Sequence, residues 1–482
     1  MEDYARMTPN LAALRALAAQ HGQEHIFRWW DELSEAEQAS LLAQAAEIDF
    51  PLMDRLIREH VLTQSTTVLP DDLQPLDPVP LPRTEAERSA RQRAVAVGEE
   101  AIRSGHVAAL VVAGGSGSRL GYPEPKGIFP AGFATEKSLF RLHAEKIRAA
   151  RRRYAGAPIP WYVMTSLEED NDAKTKAYFA EQEYFGLPRD EVEFFHQDSM
   201  PAVGLDGRLL MRTRGSVATS PNGHGGTLAA LRRSEALDHL KQRGIRVVSY
   251  FQVDNPLVHL IDPAFIGLHI ETGSEFSSKS LPKRDPEEGL GVFCTSGGNV
   301  LVVEYSDLPE DKKIAKRSDE TLLYNAGSIA IHAFDVGFLD RVTKNGVGLP
   351  FHRARKRVSC IDGRGVEVKL NKDEKNGFKF EKFIFDALPY ARNPLVMTVD
   401  RAEEFAPIKN KDAEDSPTTA AQAQTDRYGG WLEELRIPVL RDRRGHVIGC
   451  IDISPLIATN AEELRRHLPP GYRFGGYLNL QP

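Results

Sequence analysis

Apolar residues from residue 9 to about 62 recur at helical spacing in a stretch dense in Ala, Leu, Glu and Gln, and Ser34-x-x-Glu37 forms a capping box at one helix start. The pattern predicts a helical N-terminal module. Five prolines follow between Leu69 and Pro82 (Pro70, Pro75, Pro78, Pro80 and Pro82). Each fixes φ and lacks a backbone donor, so an extended crossing segment is expected there. Thr84-x-x-Glu87 then caps a further helix. From residue 107 onward, apolar runs at 107–113, 161–165, 192–196 and 246–253 alternate with amphipathic segments near 137–153, 168–184, 224–243 and 263–272. Unbroken apolar strands separated by helices predict an α/β fold with a mostly parallel sheet covered on both faces. Gly291 to Asp307 departs from the alternation, because two β-rich runs flank Ser296-Gly297-Gly298-Asn299 and so read as a hairpin. An insertion of this kind in an α/β domain often walls a substrate pocket.

After about residue 395 the pattern changes to a polar stretch, Lys409 to Gln424, followed by Trp431 and two short strands around Arg443–Gly445. This predicts a small α+β C-terminal domain. The expected organisation is therefore a helical module with its proline-rich crossing over 1–100, an α/β domain over 101–395 and the small domain over 396–482, in keeping with a chain too long for one ordinary core.

The first of the parallel strands carries the most chemistry. Leu110-Val111-Val112-Ala113-Gly114-Gly115-Ser116-Gly117-Ser118-Arg119-Leu120-Gly121, then Pro125-Lys126-Gly127, reads as a buried strand that breaks into a glycine turn and delivers two cations. Glycines allow unusual φ and bring successive N–H groups against anionic oxygens, while Arg119 and Lys126 neutralise the remaining charge. A polyphosphate is the expected ligand. The dinucleotide fingerprint needs Gly where Leu120 stands, and the P-loop needs Gly-Lys-Ser/Thr where the chain has Lys126-Gly127-Ile128. Neither NAD binding nor P-loop ATP hydrolysis is supported.

Composition narrows the class further. Hydrophobic content of 41% with 27% charged residues marks a soluble globular chain, and no apolar run approaches the ~20 residues of a membrane span. The acidic opening Met1-Glu2-Asp3-Tyr4 has no apolar core behind it, so a cytoplasmic location without a membrane partner is expected. A net charge of −7 argues against nucleic acid as a partner. The cluster Arg148, Arg151, Arg152 and Arg153 reads as the solvated end of a helix. Cys294, Cys360 and Cys450 lie far apart and read as structural thiols.

The glycine loop with its Pro-Lys resembles the signature of nucleotidyltransferases that make nucleotide sugars. Eight further blocks appear in order: Met164-Thr165-Ser166, Phe194-Phe195-His196-Gln197, Pro221-Asn222-Gly223-His224-Gly225-Gly226, Val253-Asp254-Asn255, Val303-Glu304-Tyr305-Ser306, Asn325-Ala326-Gly327, Glu381-Lys382-Phe383-Ile384-Phe385-Asp386 and Phe405-Ala406-Pro407-Ile408-Lys409-Asn410. Together they resemble the eukaryotic UDP-N-acetylhexosamine pyrophosphorylases and, more loosely, the UTP:glucose-1-phosphate uridylyltransferases, over about residues 107–420. The resemblance implies a Rossmann-like nucleotidyltransferase sheet and a reaction in which a phosphate oxygen of a sugar 1-phosphate attacks the α-phosphorus of UTP. UDP-sugar and pyrophosphate are then the products. No covalent intermediate is required, so catalysis is positioning plus charge neutralisation.

On that resemblance Gly114, Gly115, Ser116 and Gly117 with Arg119 hold the β and γ phosphates, and Lys126 touches the α-phosphate. Lys409 approaches the same region from the C-terminal side. Asp254 ends a strongly apolar strand, where a hard carboxylate suits Mg²⁺; read alone it could equally cap the turn before Pro256. The resemblance favours the metal. It assigns the uracil edge to Gln197 and the backbone of Gly223, with the glycines around His224 allowing the base to lie flat. It gives the sugar to Glu304 and Asn325, with Met164 and Thr165 nearby, and Lys379 to the sugar phosphate. The Asn325-Ala326-Gly327 and Phe405–Asn410 blocks imply an N-acetylhexosamine 1-phosphate as the sugar. His224, placed on the sugar side, stands where the hexosamine enzymes usually carry Asn and its Gly-His-Gly resembles the glucose enzymes, and Gln252 stands where a smaller residue is common, so glucose 1-phosphate is the alternative. Two rivals are weaker. A glycosyltransferase lacks its Asp-x-Asp pair at Gln252-Val253-Asp254, and a noncatalytic nucleotide-sugar sensor has no use for Arg119, Lys126, Asp254 and Lys409 together.

Overall fold

The computed structural model describes residues 10–63, 69–132, 134–344, 346, 348–371 and 374–482; the acidic opening Met1–Tyr4 and residue 9 lie outside them. The chain forms two compact units, and both are discontinuous in sequence. The smaller takes Met1–Val68, Gln197–Gly226 and Gly348–Ile384, and the larger takes Leu69–His196, Thr227–Val347 and Phe385–Pro482. Composition had suggested three consecutive segments instead. The reason for the difference is packing: the N-terminal helices find their apolar complement in chain that arrives much later.

In the smaller unit, α1 (Leu11–Gln20), α2 (Glu35–Ala46) and α3 (Phe50–Leu56) bury Trp29, Trp30, Leu41 and Phe50 against Val203, Leu209, Met211, Val217 and Phe380. The predicted box forms at α2, where the Ser34 N–H donates to the Glu37 carboxylate at 2.9 Å. Phe380 belongs to the strand Gly377–Glu381, which pairs with His352–Lys356 on one side and Val203–Gly204 on the other.

The larger unit is built on a ten-stranded sheet. Its strands are β1 (Gln74–Pro75), β2 (Val107–Val112), β3 (Trp161–Thr165), β4 (Val192–His196), β5 (Val247–Gln252), β6 (Phe276–Pro282), β7 (Val292–Ser296), β8 (Asn299–Val303), β9 (Ala326–Asp335) and β10 (Leu395–Thr398). The run β5-β2-β3-β4 is parallel, as the apolar runs predicted, and all of β2 and β3 is buried. Beyond β5 the sheet continues antiparallel through β9, which pairs with β5, β6 and β7, so an antiparallel flank extends the parallel run. The hairpin is present: Ser296 opposes Asn299 across Gly297 and Gly298, both at positive φ. The proline-rich crossing runs along the sheet, β1 pairing with β7 and Val79 bridging Met397.

Helices α4 (Glu85–Arg103), α5 (Leu139–Arg153), α6 (Asn171–Glu181), α7 (Gly226–Arg233), α8 (Ala236–Gln242) and α9 (Pro263–Glu271) accompany the strands. The helix expected over 224–243 is broken in two where Glu235 takes a positive φ of 63°. The polar stretch near Lys409–Gln424 conceals a helix, Pro417–Glu434, because its capping box pairs Ser416 with Thr419 instead of an acid. Around Arg443–Gly445 only a single bridge, Arg441 to Val447, forms; the paired strands of this region are Cys450–Ile453 and Tyr477–Leu480. The arginines at the end of α5 are not simply solvated. Arg151 pairs with Glu191, Arg152 donates to the Leu456 carbonyl, and Arg153 donates to Thr459 and Glu463, tying α5 to its surroundings. All three cysteines are free thiols, and burial pushes Cys294 up to about 12. Among the described residues no helix is long and apolar enough to cross a membrane.

Helices α4 and α9 approach closely enough to require glycine at both contact points. A Cβ on Gly98 would stand 1.9 Å from the Pro263 carbonyl oxygen, and one on Gly267 would stand 1.7 Å from that of Ala94. Because the obstacle is backbone, relief requires the helices to separate. Gly267→Ala is therefore expected to destabilise the larger unit by about 3 kcal/mol, measured by denaturant unfolding. A change within ~0.5 kcal/mol would show that the helix pair is loosely held.

Candidate active site

Strand order sets the site. β2 lies between β5 and β3, so the chain leaving β2 emerges at the carboxyl edge flanked by the ends of both neighbours, where open α/β sheets bind ligands. The Ala113 N–H donates to the Met164 carbonyl at 2.8 Å, and the Val253 N–H to the Val112 carbonyl at 3.1 Å. The glycine loop is then held by its carbonyls. The Ser166 hydroxyl donates to Gly114 O at 2.8 Å, and the Asn171 amide to Ala113 O and Gly115 O at 3.3 and 3.4 Å. The far side closes through Gly117 N–H to Glu124 O and Lys126 N–H to Gly115 O. Gly117 is needed for this closure, since a Cβ there would meet the Tyr122 carbonyl at 2.8 Å. The amides of Gly114, Gly115 and Ser116 make no hydrogen bond among the described residues, and Gly115, Ser116 and Arg119 are exposed. With carbonyls tied back and amides unused, the loop presents donors, as an anion cradle must. Asn171 and Ser166 were not singled out by sequence reasoning, though Ser166 closes one of the ordered blocks.

Asp254 follows β5 at the same edge. Its carboxylate accepts from the Lys126 ammonium at 2.9 Å, and both side chains are largely covered, at 17% and 16% exposure. Burial pushes the Asp254 carboxyl up, but the charges of Lys126 and Lys409 outweigh it and hold the group below the ordinary Asp range. Lys409 is brought there by backbone bonds. Buried Asn255 donates to Glu404 O at 2.7 Å and accepts from Ala406 N–H at 3.1 Å, and the Ile408 N–H donates to Asp254 O at 2.8 Å. The Val253-Asp254-Asn255 block and the Phe405–Asn410 block are thus one local structure. Lys409 also stands 3.5 Å from Asp415 and beside a cavity of about 400 Å³ lined by Arg284, Glu288, Phe405 and Asp415.

Glu304 follows the second strand of the hairpin and Asn325 immediately precedes β9. A Cβ on Gly291 would lie 3.2 Å from the Glu304 carboxylate, while Gly291 O accepts from Ser328 N–H at 2.8 Å. Asn325 spends its side-chain oxygen on the Lys283 N–H at 2.7 Å, and its Nδ2 makes no hydrogen bond among the described residues. Met164 and Thr165 are fully buried in the sheet and belong to the core. A third cluster, His259, Asp262 and Glu404, has the donor types of a metal site. The buried Lys279 ammonium already bridges Asp262 and Glu404 at 2.8 and 2.5 Å, so that charge is met internally.

Gln197, Gly223, His224 and Lys379 belong to the smaller unit. Gln197 Oε1, Ser220 Oγ and Asn222 Oδ1 are buried without a hydrogen-bond partner among the described residues, on one hairpin in which Ser199 opposes Pro221. Buried polar atoms in native structures are normally satisfied, so each of these three oxygens can accept from a further donor. Asn222 and Ser220 were not assigned a role from sequence; nothing in residue type alone distinguishes them from turn residues. The glycines beside them serve the chain first. Gly223 has φ of +85° and a Cβ there would meet Lys382 O at 2.5 Å, while one on Gly225 would meet Lys382 C at 2.7 Å. His224 stacks on Phe383 at 5.4 Å and its Nδ1 accepts from the Ile384 N–H at 3.3 Å. Burial lowers its ring to about 4, so it is neutral at physiological pH. Lys379 is half-buried, one residue along its strand from the core residue Phe380 and so on the opposite face.

A family model described as UTP--glucose-1-phosphate uridylyltransferase matches residues 57–416. The human UDP-N-acetylhexosamine pyrophosphorylase-like protein 1 is 37% identical, with 94% of each chain covered. UDP-N-acetylglucosamine diphosphorylase 1 of Arabidopsis thaliana is 36% identical, over 92% of this chain and 88% of its own. The crystal structure of the uridine diphosphate N-acetylglucosamine pyrophosphorylase from Trypanosoma brucei superposes with a TM-score of 0.79 at 31% identity, covering 97% and 96% of the two chains. The glycine loop with its unused amides and the acid at the end of β5 therefore sit in a chain that belongs to the UTP--glucose-1-phosphate uridylyltransferase family, a family of nucleotidyltransferases.

Proposed function

We propose that the protein transfers a uridylyl group from UTP to a sugar 1-phosphate, preferring an N-acetylhexosamine 1-phosphate, and releases pyrophosphate. The observation that carries this reading is the juxtaposition at one sheet edge of three unused loop amides, Lys126, Asp254 and Lys409. The loop amides and Arg119 take the β and γ phosphates that leave, and the two lysines face the α-phosphate, where charge builds up in the transition state. A sugar-phosphate oxygen is already a competent nucleophile, so the enzyme needs no base or covalent intermediate, only alignment of nucleophile, phosphorus and leaving group. Asp254 fits a divalent cation: it is a hard oxygen donor, kept ionised, beside the amides that receive phosphate. Bound there, Mg²⁺ would supply neutralising charge to phosphate oxygens.

The Gln197 Oε1, buried without a hydrogen-bond partner among the described residues, suits the N3–H of uracil, which cytosine lacks. On the sugar side, the Glu304 carboxylate and the Asn325 Nδ2 supply an acceptor and a donor, as recognition of a polyol needs. The N-acetylated sugar is favoured because the relatives at 36–37% identity carry N-acetylhexosamine or N-acetylglucosamine in their names.

Pyrophosphate release from UTP with Mg²⁺ and a panel of sugar 1-phosphates tests the reading. N-acetylglucosamine or N-acetylgalactosamine 1-phosphate should give the highest kcat/KM, with glucose 1-phosphate slower; turnover of glucose 1-phosphate alone would overturn the sugar assignment, and no release with any sugar would overturn the reaction. Gln197→Ala is expected to raise KM for UTP about tenfold and to narrow the preference for UTP over CTP, since a buried acceptor matched to a donor is what rejects the wrong base. Unchanged nucleotide preference in the folded variant would remove Gln197 from base recognition.

A further inference from the structure

The atom that would meet a metal is not idle. Asp254 Oδ2 holds the Lys126 ammonium at 2.9 Å, and Lys409 contributes a second positive charge to the same carboxylate. The other groups nearby do not offset this. Lys409 has its own partner in Asp415 at 3.5 Å, and His143, whose Nε2 hydrogen-bonds Val253 O, is buried and lowered to about 3, so it is neutral. A divalent cation arriving at Asp254 in the nucleotide-free protein thus meets one carboxylate already engaged by an ammonium. Both cations on one carboxylate would lie within a few ångströms of each other, where like charges repel strongly.

Lys126 is also built so that only its side chain can leave. Its N–H is bonded to Gly115 O at 3.0 Å, and the next residue, Gly127, is packed so tightly that a Cβ there would lie 2.1 Å from the Phe140 ring. The backbone is pinned, while the four-carbon stem has rotatable bonds of its own and its ammonium forms no fixed fork. A triphosphate on the loop offers that ammonium a more highly charged partner within the same edge.

We propose that Lys126 and the divalent cation compete for Asp254, and that nucleotide phosphate resolves the competition by drawing Lys126 away. Resting on the assignment of Asp254 as the metal ligand, this adds that Lys126 is a counterion before it is a phosphate ligand. Metal and nucleotide then bind with positive cooperativity, because each removes an obstacle to the other, and the coupling is reciprocal. Nucleotide-free protein is kept from loading metal in a form that cannot accept substrate.

The test is Mn²⁺ binding to the nucleotide-free protein, read from the electron paramagnetic resonance signal of free Mn²⁺, with no turnover involved. Lys126→Met should bind Mn²⁺ at least tenfold more tightly than wild type, and Lys126→Gln, measured beside it in case the apolar change disturbs folding, should shift in the same direction. Adding Asp254→Asn to either variant should abolish the gain. If the Lys126 variants bind no more tightly than wild type while Asp254→Asn still weakens binding, the competition is wrong and the metal assignment stands. If the gain survives in the double variants, the metal does not use Asp254, and both the assignment and the proposal fall.

Discussion

The buried amide of Asn255 holds the catalytic edge together. One small side chain donates to Glu404 O and accepts from the N–H groups of Leu257 and Ala406, so the turn that follows β5 and a segment 150 residues later form one rigid piece. Asp254, on one side of Asn255, and Lys409, just beyond Ala406, face each other as a result. Neither residue has a local reason to do so, since Lys409 lies past the last strand of the sheet and its side chain is 39% exposed. A side chain with both a donor and an acceptor is needed at position 255; a purely apolar residue would leave buried backbone groups unpaired on both segments.

From that junction the electrostatics follow. The parallel run β5-β2-β3 delivers the glycine loop and Asp254 to one edge, Ser166 and Asn171 tie the loop carbonyls inward, and the amides that remain face outward with Lys126 and Lys409 beside them. The arrangement gathers the positive ends of the loop amides and the two lysine charges at one edge. Chemistry by displacement between substrates is what such an edge can do well, because its contribution is preorganised charge and alignment. The buried triad of Lys279, Asp262 and Glu404 belongs to the same construction: Glu404 accepts from Lys279 and from the His259 N–H, bracing the chain that Asn255 clamps.

Much of this was legible from residues alone where local pattern decides. The parallel strands, the hairpin at Gly297-Gly298, both N-terminal capping boxes and the glycine cradle all depend on short-range sequence. Two classes of feature were not. Pairings that depend on distant chain, such as the antiparallel half of the sheet through β9 and the smaller unit assembled from three segments, leave no periodic trace. Polar residues whose role is set by surroundings were equally silent: Asn222 and Ser220 read as turn residues, and the helix Pro417–Glu434 was hidden because a Thr completes its box. Lys409 shows both sides, since its block was recognisable by resemblance while its position beside Asp254 required the Asn255 clamp to be seen.

In the proposed reaction this edge aligns two substrates for direct displacement at phosphorus, with no enzyme-bound uridylyl group. The stereochemical course at the α-phosphorus tests it most directly: uridine 5′-(1-thiotriphosphate) of one configuration is converted with a sugar 1-phosphate, and the configuration of the UDP-sugar product is determined by ³¹P NMR. A single in-line displacement predicts inversion. Net retention would require two displacements and hence a covalent uridylyl-enzyme, which would contradict the account.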